Sequence, residues 1–155
     1  MPSWGYSLKS LNLDPERTAI ASLRDVDMSM KKAVEVCSSI KGLTLEEARR
    51  LLRDVIALKK PIPYRRYFKK GSHKRQLQEW HSGGYPVKVC RYLLKLLDSV
   101  EANAEHKGLD TSRLVIVHAA VHKGRRIPRY MPRAFGRATR WGRQLVHVEI
   151  AVREL

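Results

Sequence analysis

Apolar residues in the first two thirds of the chain recur at helical spacing, and in the last third they alternate. Thr18-Ala-Ile-Ala-Ser-Leu23 is a short, weakly alternating run that fits an edge strand. Asp27 and Ser29 then offer N-caps. Met30, Val34, Cys37 and Ile40 lie three or four apart and predict a helix with an inward stripe, while Lys31, Lys32 and Lys41 face elsewhere. Gly42 stops it. Thr44-Leu-Glu-Glu47 has capping-box spacing, in which the Thr hydroxyl and the Glu carboxylate satisfy backbone N–H groups left unpaired in a first turn. A second helix runs on through Ala48, Leu51, Leu52, Val55 and Ile56 until Pro61. Pro86 suits the first position of a third helix, and Cys90, Leu93, Leu94, Leu97, Val100 and Ala104 form the strongest apolar stripe in the sequence. Lys107-Gly108 marks its end, with a cation near the negative end of the helix dipole and a glycine free to adopt positive φ.

Leu114-Val-Ile-Val-His-Ala-Ala-Val121 and Leu145-Val-His-Val-Glu-Ile-Ala-Val152 read as two strands. In the second, Val146, Val148, Ile150 and Val152 share one face and His147, Glu149 and Arg153 the other, the period of a half-buried antiparallel strand. Two segments escape both periods. Pro61 to Gly84 is rich in Lys, Arg, Tyr and Gly and reads as a long loop, a type that is usually functional or ordered on a partner. Residues 123–143 have too little apolar area and too much charge to fold on themselves. If they continue the two strands as a ribbon, about ten residues a side at roughly 3.3 Å each project some 30 Å from the globule. Isolated two-stranded ribbons are marginal in water, so a partner must clasp this one. The expected fold is therefore α+β: three helices on a small antiparallel sheet in a single domain over residues 1–155. A basic loop insertion lies at 59–86 and an extended arginine-rich hairpin arm at 122–143.

Charge says what the partner is. The 155 residues carry 31 Lys and Arg against 15 Asp and Glu, a formal charge of +16 and a pI near 10.3. Residues 1–54 are nearly neutral, with nine basic and eight acidic side chains. Residues 55–95 hold eleven basic groups against the single acid Glu79, and residues 111–148 hold nine and no acid. Like charges without counter-charges oppose compaction, and phosphate is the natural relief. Arginine pairs bidentately with phosphate and stacks on bases, while Tyr130, Phe135 and Trp141 add stacking surfaces. Gly124, Gly136 and Gly142 allow close backbone approach. The candidate RNA-binding residues are Lys31, Lys32, Lys69, Lys70, Lys74, Arg75, Lys88, Lys123, Arg125, Arg126, Arg133, Arg137, Arg140, Trp141 and Arg143.

Other chemistries are less well supported. His118 and His122 would make a metal pair on a helix, yet they fall in a strand pattern with no third ligand nearby. No nucleophile motif and no Gly-rich phosphate loop after a strand is present, so neither a catalytic residue nor a cofactor is expected. Cys37 and Cys90 lie on apolar stripes and read as core thiols. No apolar run reaches the roughly 18 residues of a membrane span, and Met1-Pro-Ser-Trp-Gly5 lacks the regions of a signal peptide. A cytoplasmic protein with no membrane partner is the expectation.

Several strings resemble a known family: the large-subunit ribosomal protein called L-twenty-two in bacteria and L-seventeen in eukaryotes, in its archaeal and eukaryotic form. They are Ser29-Met-Lys-Lys32, Ile40-Lys-Gly42 with Glu47-Ala48, Asn103-Ala-Glu-His-Lys-Gly-Leu-Asp110, and above all His122-Lys-Gly124 with Pro132-Arg-Ala-Phe-Gly-Arg-Ala138. The insertion with Pro61-Ile-Pro63, Gly71-Ser-His-Lys74 and Gly84-Tyr-Pro86 resembles the archaeal and eukaryotic version. The resemblance implies binding to large-subunit, 23S-type ribosomal RNA, contacts with neighbouring ribosomal proteins, a part in subunit assembly, and a hairpin in the wall of the nascent-peptide exit tunnel. It implies a tip at about Arg126 to Met131, with Ile127, Pro128, Arg129, Tyr130 and Met131 facing the nascent polypeptide. Pro132 to Arg143 is then the returning, RNA-clasped strand. The competing class is a free-standing nucleic-acid-binding regulator or chromatin-type protein. A weaker third is an RNA-modifying enzyme.

Overall fold

The computed structural model describes residues 5–7, 13–69 and 71–155. Its elements are β1 (Thr18–Val26), α1 (Met30–Ile40), α2 (Leu45–Ile56), β2 (Ile62–Pro63), β3 (Gly83–Gly84), α3 (Val87–His106), β4 (Leu114–Ile127), β5 (Tyr130–Pro132), β6 (Ala138–Arg140) and β7 (Arg143–Glu154). Three helices pack on an antiparallel sheet of order β1-β7-β4, the α+β arrangement expected from the sequence.

Each helix begins and ends where local chemistry dictates. Gly42 stops α1 at φ +87°, and its N–H donates to the Ile116 carbonyl at 2.8 Å, tying the α1–α2 turn to β4. The Thr44 hydroxyl accepts from the Glu47 N–H at 3.3 Å while the Glu47 carboxylate accepts from the Thr44 N–H at 3.1 Å, completing the capping box of α2. These bonds hold the Glu47 carboxyl below its usual range. Pro86 is the N-cap of α3 rather than its first helical residue, and Gly108 follows the helix at φ +74°.

The inner stripes differ from expectation at two places. In α1 the buried apolar set is Ala33, Val36, Cys37 and Ile40, with Val34 only partly covered. Valines at both 34 and 36 make two stripes through Cys37 and Ile40 available, and the one that wins has the fuller i, i+3, i+4, i+7 pattern. In α3, Leu96 joins Leu93 and Leu97 in the core and Leu94 stays partly covered.

The helix-facing side of the sheet is built across three strands. Ala19, Ala21 and Leu23 of β1 pair with Val152, Ile150 and Val148 of β7, which pair in turn with Ile116, Ala119 and Val121 of β4. Ile116 and Ala119 differ in parity, and they share a face because the register shifts between Ile116 and His118. The opposite face of β7 is not the solvent face that alternation suggested. Glu149 is only 2 % exposed and His147 only 8 %, because strands flank β7 on both sides and the Gly5–Ser7 segment lies over Glu149. The Glu149 carboxylate accepts from the Ser7 N–H at 3.2 Å, from the Ser7 hydroxyl, and from His122 Nε2 at 3.2 Å. Burial pushes this carboxyl up, but the Ser7 and His122 bonds outweigh it and hold it below the usual range.

The insertion is more organised than the loop expected from its lack of period. β2 pairs with β3 at its base, Ile62 is buried, the Trp80 indole N–H donates to the Tyr64 carbonyl at 2.7 Å, and Phe68 meets Trp80 edge-on at 6.1 Å. Aromatic contacts and a two-residue ladder leave no repeating pattern in sequence, so periodicity misses them.

Glu149→Gln removes one acceptor oxygen and the charge from this buried cluster. Replacement should lower stability by about 1–3 kcal/mol at neutral pH, read as a lower denaturant midpoint. A carboxyl held low contributes above its unfolded value, about 4.3, and loses that contribution as pH falls through the folded value. The gap between wild type and variant should therefore close in acid, and equal midpoints at pH 7 would show that the tether carries no weight.

Candidate nucleic-acid interface

The sheet narrows to a ribbon where β1 ends. The register of β1 against β7 shifts between Leu23 and Val26, opposite Val148 to Val146, and that of β4 shifts one step further along, between Lys123 and Arg126, opposite Val146 to Gln144. Paired irregularities of this kind bend and twist a sheet, and here they set the departure of the arm. Asp25, at φ +50°, donates its N–H to His147 Nδ1 at 3.0 Å and accepts from the Arg125 N–H at 3.3 Å. A Cβ on Gly124 would stand 2.8 Å from the His147 ring and 3.0 Å from Asp25 Oδ1, so glycine is required at this close approach. Gln144 adds a bond from Nε2 to the Gly124 carbonyl at 2.7 Å.

Beyond this root the arm keeps one register. Arg126 pairs with Gln144, Ile127 with Arg143, Tyr130 with Arg140, Met131 with Thr139 and Pro132 with Ala138. The Trp141 N–H donates to the Arg129 carbonyl at 2.6 Å and the Arg133 N–H to the Arg137 carbonyl at 2.7 Å, in phase with those pairs. Residues that face each other across a ladder share a side of the ribbon. One side therefore carries Ile127, Arg129, Met131, Arg133, Arg137, Thr139, Trp141 and Arg143. The other carries Arg126, Pro128, Tyr130, Pro132, Ala138, Arg140, Gly142 and Gln144. The Arg133 Nε–Thr139 Oγ1 contact at 3.5 Å agrees with that division.

Chain reversal lies further along than expected. Arg133 to Arg137 form it, with Phe135 at φ +59° and Gly136 at φ +65°. The segment expected as the tip, Arg126 to Met131, belongs to the outgoing side, and Pro132 pairs as the last residue of that side rather than the first of the return. Successive left-handed residues turn the chain at Phe135-Gly136, whereas the earlier tip was implied by the family resemblance and not by a turn signal in these residues. The five expected tip residues also divide between faces, Pro128 and Tyr130 on one and Ile127, Arg129 and Met131 on the other. Phe135 is 91 % exposed at the apex, with the Arg137 guanidinium 5.9 Å from its ring centroid.

The expected cations do not form one patch. Lys123, Arg125, Arg126, Arg133, Arg137, Arg140, Trp141 and Arg143 are exposed along the arm and its root. Lys88 and Arg143 converge on the Asp27 carboxylate at 3.1 and 3.2 Å, and the Lys88 bond holds Asp27 below its usual range. Lys31, Lys32, Lys69 and Arg75 are exposed on the globule, and Lys74 lies 5.6 Å from the Tyr85 ring centroid. Lys70 lies outside the described residues. Sequence reasoning read Asp27 only as an N-cap and missed Asp25, and it missed Glu35 with Arg65, Arg66 and Tyr67.

Other chemistries find no geometry. Among the described residues no three His, Cys, Asp or Glu are grouped to hold a metal, and His118 and His122 instead both point at Glu149 Oε1, at 3.6 and 3.2 Å. Burial pushes the Cys37 and Cys90 thiols up to about 12, so neither is a nucleophile at neutral pH. No helix among the described residues is long and apolar enough to cross a membrane.

The sequence that builds this ribbon and globule is similar to those of known proteins along the whole chain. The profile of the family described as Ribosomal protein L22p/L17e matches residues 21–153. The chain belongs to this family. It is 55 % identical over 155 residues to the large ribosomal subunit protein uL22 of Thermofilum pendens, covering 100 % of this chain and 99 % of that one. Identity is 51 % over 158 residues to the protein of the same name from Staphylothermus marinus, at 100 % and 99 % coverage. With that from Archaeoglobus fulgidus it is 52 % over 137 residues, or 88 % of each chain. Membership makes the chain a structural, non-enzymatic ribosomal protein, which sets aside the RNA-modifying enzyme.

Asp27→Asn should release Lys88 and Arg143 for phosphate. Filter binding to single-stranded RNA should show higher affinity and a salt slope steeper by up to about one phosphate's worth. An unchanged slope would mean that neither cation reaches RNA.

Proposed function

We propose that the chain is an RNA-embedded structural constituent of the large ribosomal subunit in the cytoplasm, with its arm laid between ribosomal RNA and the lumen of the nascent-peptide exit tunnel. The observation that carries this reading is the arm itself: a two-stranded ribbon, exposed at every residue but Gly142, with seven arginines and no carboxylate from Arg125 to Arg143. Such a ribbon has no core of its own, and a surrounding polyphosphate supplies both the counter-charge and the support. Membership of a ribosomal family and the names of the relatives support the same location.

The two faces of the ribbon suit two surroundings. Arg129, Arg133, Arg137 and Arg143 share one side with Ile127, Met131 and Trp141, so guanidinium groups alternate with flat or apolar surface. That mixture pairs with phosphates and stacks on unpaired bases. The other side sets two prolines, a glycine and an alanine around Tyr130 and Arg140, a smoother surface with half the charge. It is the side suited to a passing polypeptide. The globule meets further RNA and neighbouring ribosomal proteins and supports assembly of the subunit.

Sedimentation of extract tests the location. The tagged chain should travel with large subunits, and recovery in a free light fraction, beside large subunits lacking it, would favour the free-standing regulator. Replacing Arg133 and Arg137 by Ala should weaken binding to large-subunit RNA and lower the salt slope by roughly 0.7–0.9 per charge. An unchanged slope would mean that this face does not touch phosphate.

A further inference from the structure

Glu35 is a carboxylate buried to 2 % exposure within α1, and its hydrogen bonds all go to the basic insertion. Oε2 accepts from the Arg65 N–H at 2.9 Å, and Oε1 accepts from the N–H groups of Arg66 at 2.9 Å and Tyr67 at 2.6 Å. Three successive amides converging on one anion form a nest, and the occupant here is the protein's own side chain. The backbone of 65–67 is thereby fixed in one shape. Arg65 and Arg66 are left exposed, and the half-buried Tyr67 comes to lie beside the start of α1. Lys31, one turn before Glu35 on the same helix, stands 5.6 Å from the Tyr67 ring centroid, and the Arg66 guanidinium stands 5.5 Å from it.

This arrangement is more than an anchor. From Val55 to Gln78 the sequence has no acid, so the cations around Tyr67 have no surface carboxylate of their own segment to pair with. Among the described residues, the carboxylate bonded to this turn is that of Glu35, and it is engaged by backbone amides beneath it. An aromatic ring flanked by an ammonium and a guanidinium, on a backbone held rigid from below, is what an unstacked base with its phosphates requires.

Building on the ribosomal reading above, we infer that Lys31, Arg66 and Tyr67 form a second RNA-contact site, on the globule rather than the arm. It takes one unpaired nucleotide, with its base on the Tyr67 ring or the Arg66 guanidinium and its phosphates on Lys31 and Arg66. Glu35 is the positioning residue that holds the site together without touching RNA.

The test uses the full-length chain and large-subunit ribosomal RNA, with filter binding at several salt concentrations and thermal melting of each variant. Tyr67→Ala should cost roughly tenfold or more in affinity at an unchanged salt slope, because stacking releases no counterions. Tyr67→Phe should restore binding. Lys31→Ala with Arg66→Ala should lower the slope by about 0.7–0.9 per charge. Glu35→Gln, which keeps the shape but removes one acceptor oxygen, should weaken binding. Should Glu35→Gln prove unstable, the Tyr67 and Lys31/Arg66 variants still decide, since neither removes a core contact. Wild-type affinity and slope in both of those variants, with wild-type RNA binding intact, would overturn the site and leave the ribosomal reading standing. Failure of the wild-type chain itself to bind the RNA would instead sink the ribosomal reading.

Discussion

β7 is shared between two structures that have different reasons to exist. Along Val146 to Arg153 it is the middle strand of a sheet, with β1 on one side and β4 on the other, and its apolar residues close the helical core. Towards Arg143 it has lost β1 and is half of a bare ribbon. The globule and the base of the arm therefore share the same two strands, β4 and β7, so the direction in which the arm leaves is set by how the core packs. The change falls where both neighbours of β7 slip register and where Asp25, His147 and Gly124 pack too closely for any larger residue at 124.

Carboxylates are distributed with the same economy. Apart from Glu79, exposed within the insertion, those near the basic elements sit at their bases: Asp25 and Asp27 at the root of the arm, Glu35 under the insertion, Glu149 beneath the Gly5–Ser7 segment. Each satisfies backbone amides or fixes a cation at a junction. None lies on the outer ribbon or on the turn at 65–67, where it would compete with phosphate. Charge separation of this kind leaves the free protein with repulsion that a polyanionic partner would relieve.

Much of the fold was legible from residue pattern. The capping box at Thr44 and Glu47, the stops at Gly42 and Gly108 and the two strands of the last third all depend on local chemistry that short stretches declare. What stayed hidden depends on who sits next to whom. Alternation marked His147 and Glu149 as a solvent face, but a middle strand has no solvent face once both flanks and a terminal segment cover it. The insertion carried no period because aromatic edges and a buried acid from α1 hold it. For the candidate interface, charge marked out an arm whose cations the structure leaves exposed. The reversal at Phe135 was misplaced because the tip came from the family resemblance, and a phenylalanine in the left-handed region is uncommon enough that the residues themselves did not announce it. Which arginines share a side needed the register.

A ribbon of two strands has two open edges, and each presents unpaired amide and carbonyl groups along its length. Before it reaches its destination, such a chain is a template on which another copy can add a strand. The side chains that suit the arm to RNA also guard it in that interval. Pro128 and Pro132 withdraw donors from the outgoing edge, and the guanidinium groups make the approach of an identical edge electrostatically costly. Solubility while waiting and adhesion on arrival are thus supplied by the same residues, and a substitution that softens one will be felt in the other.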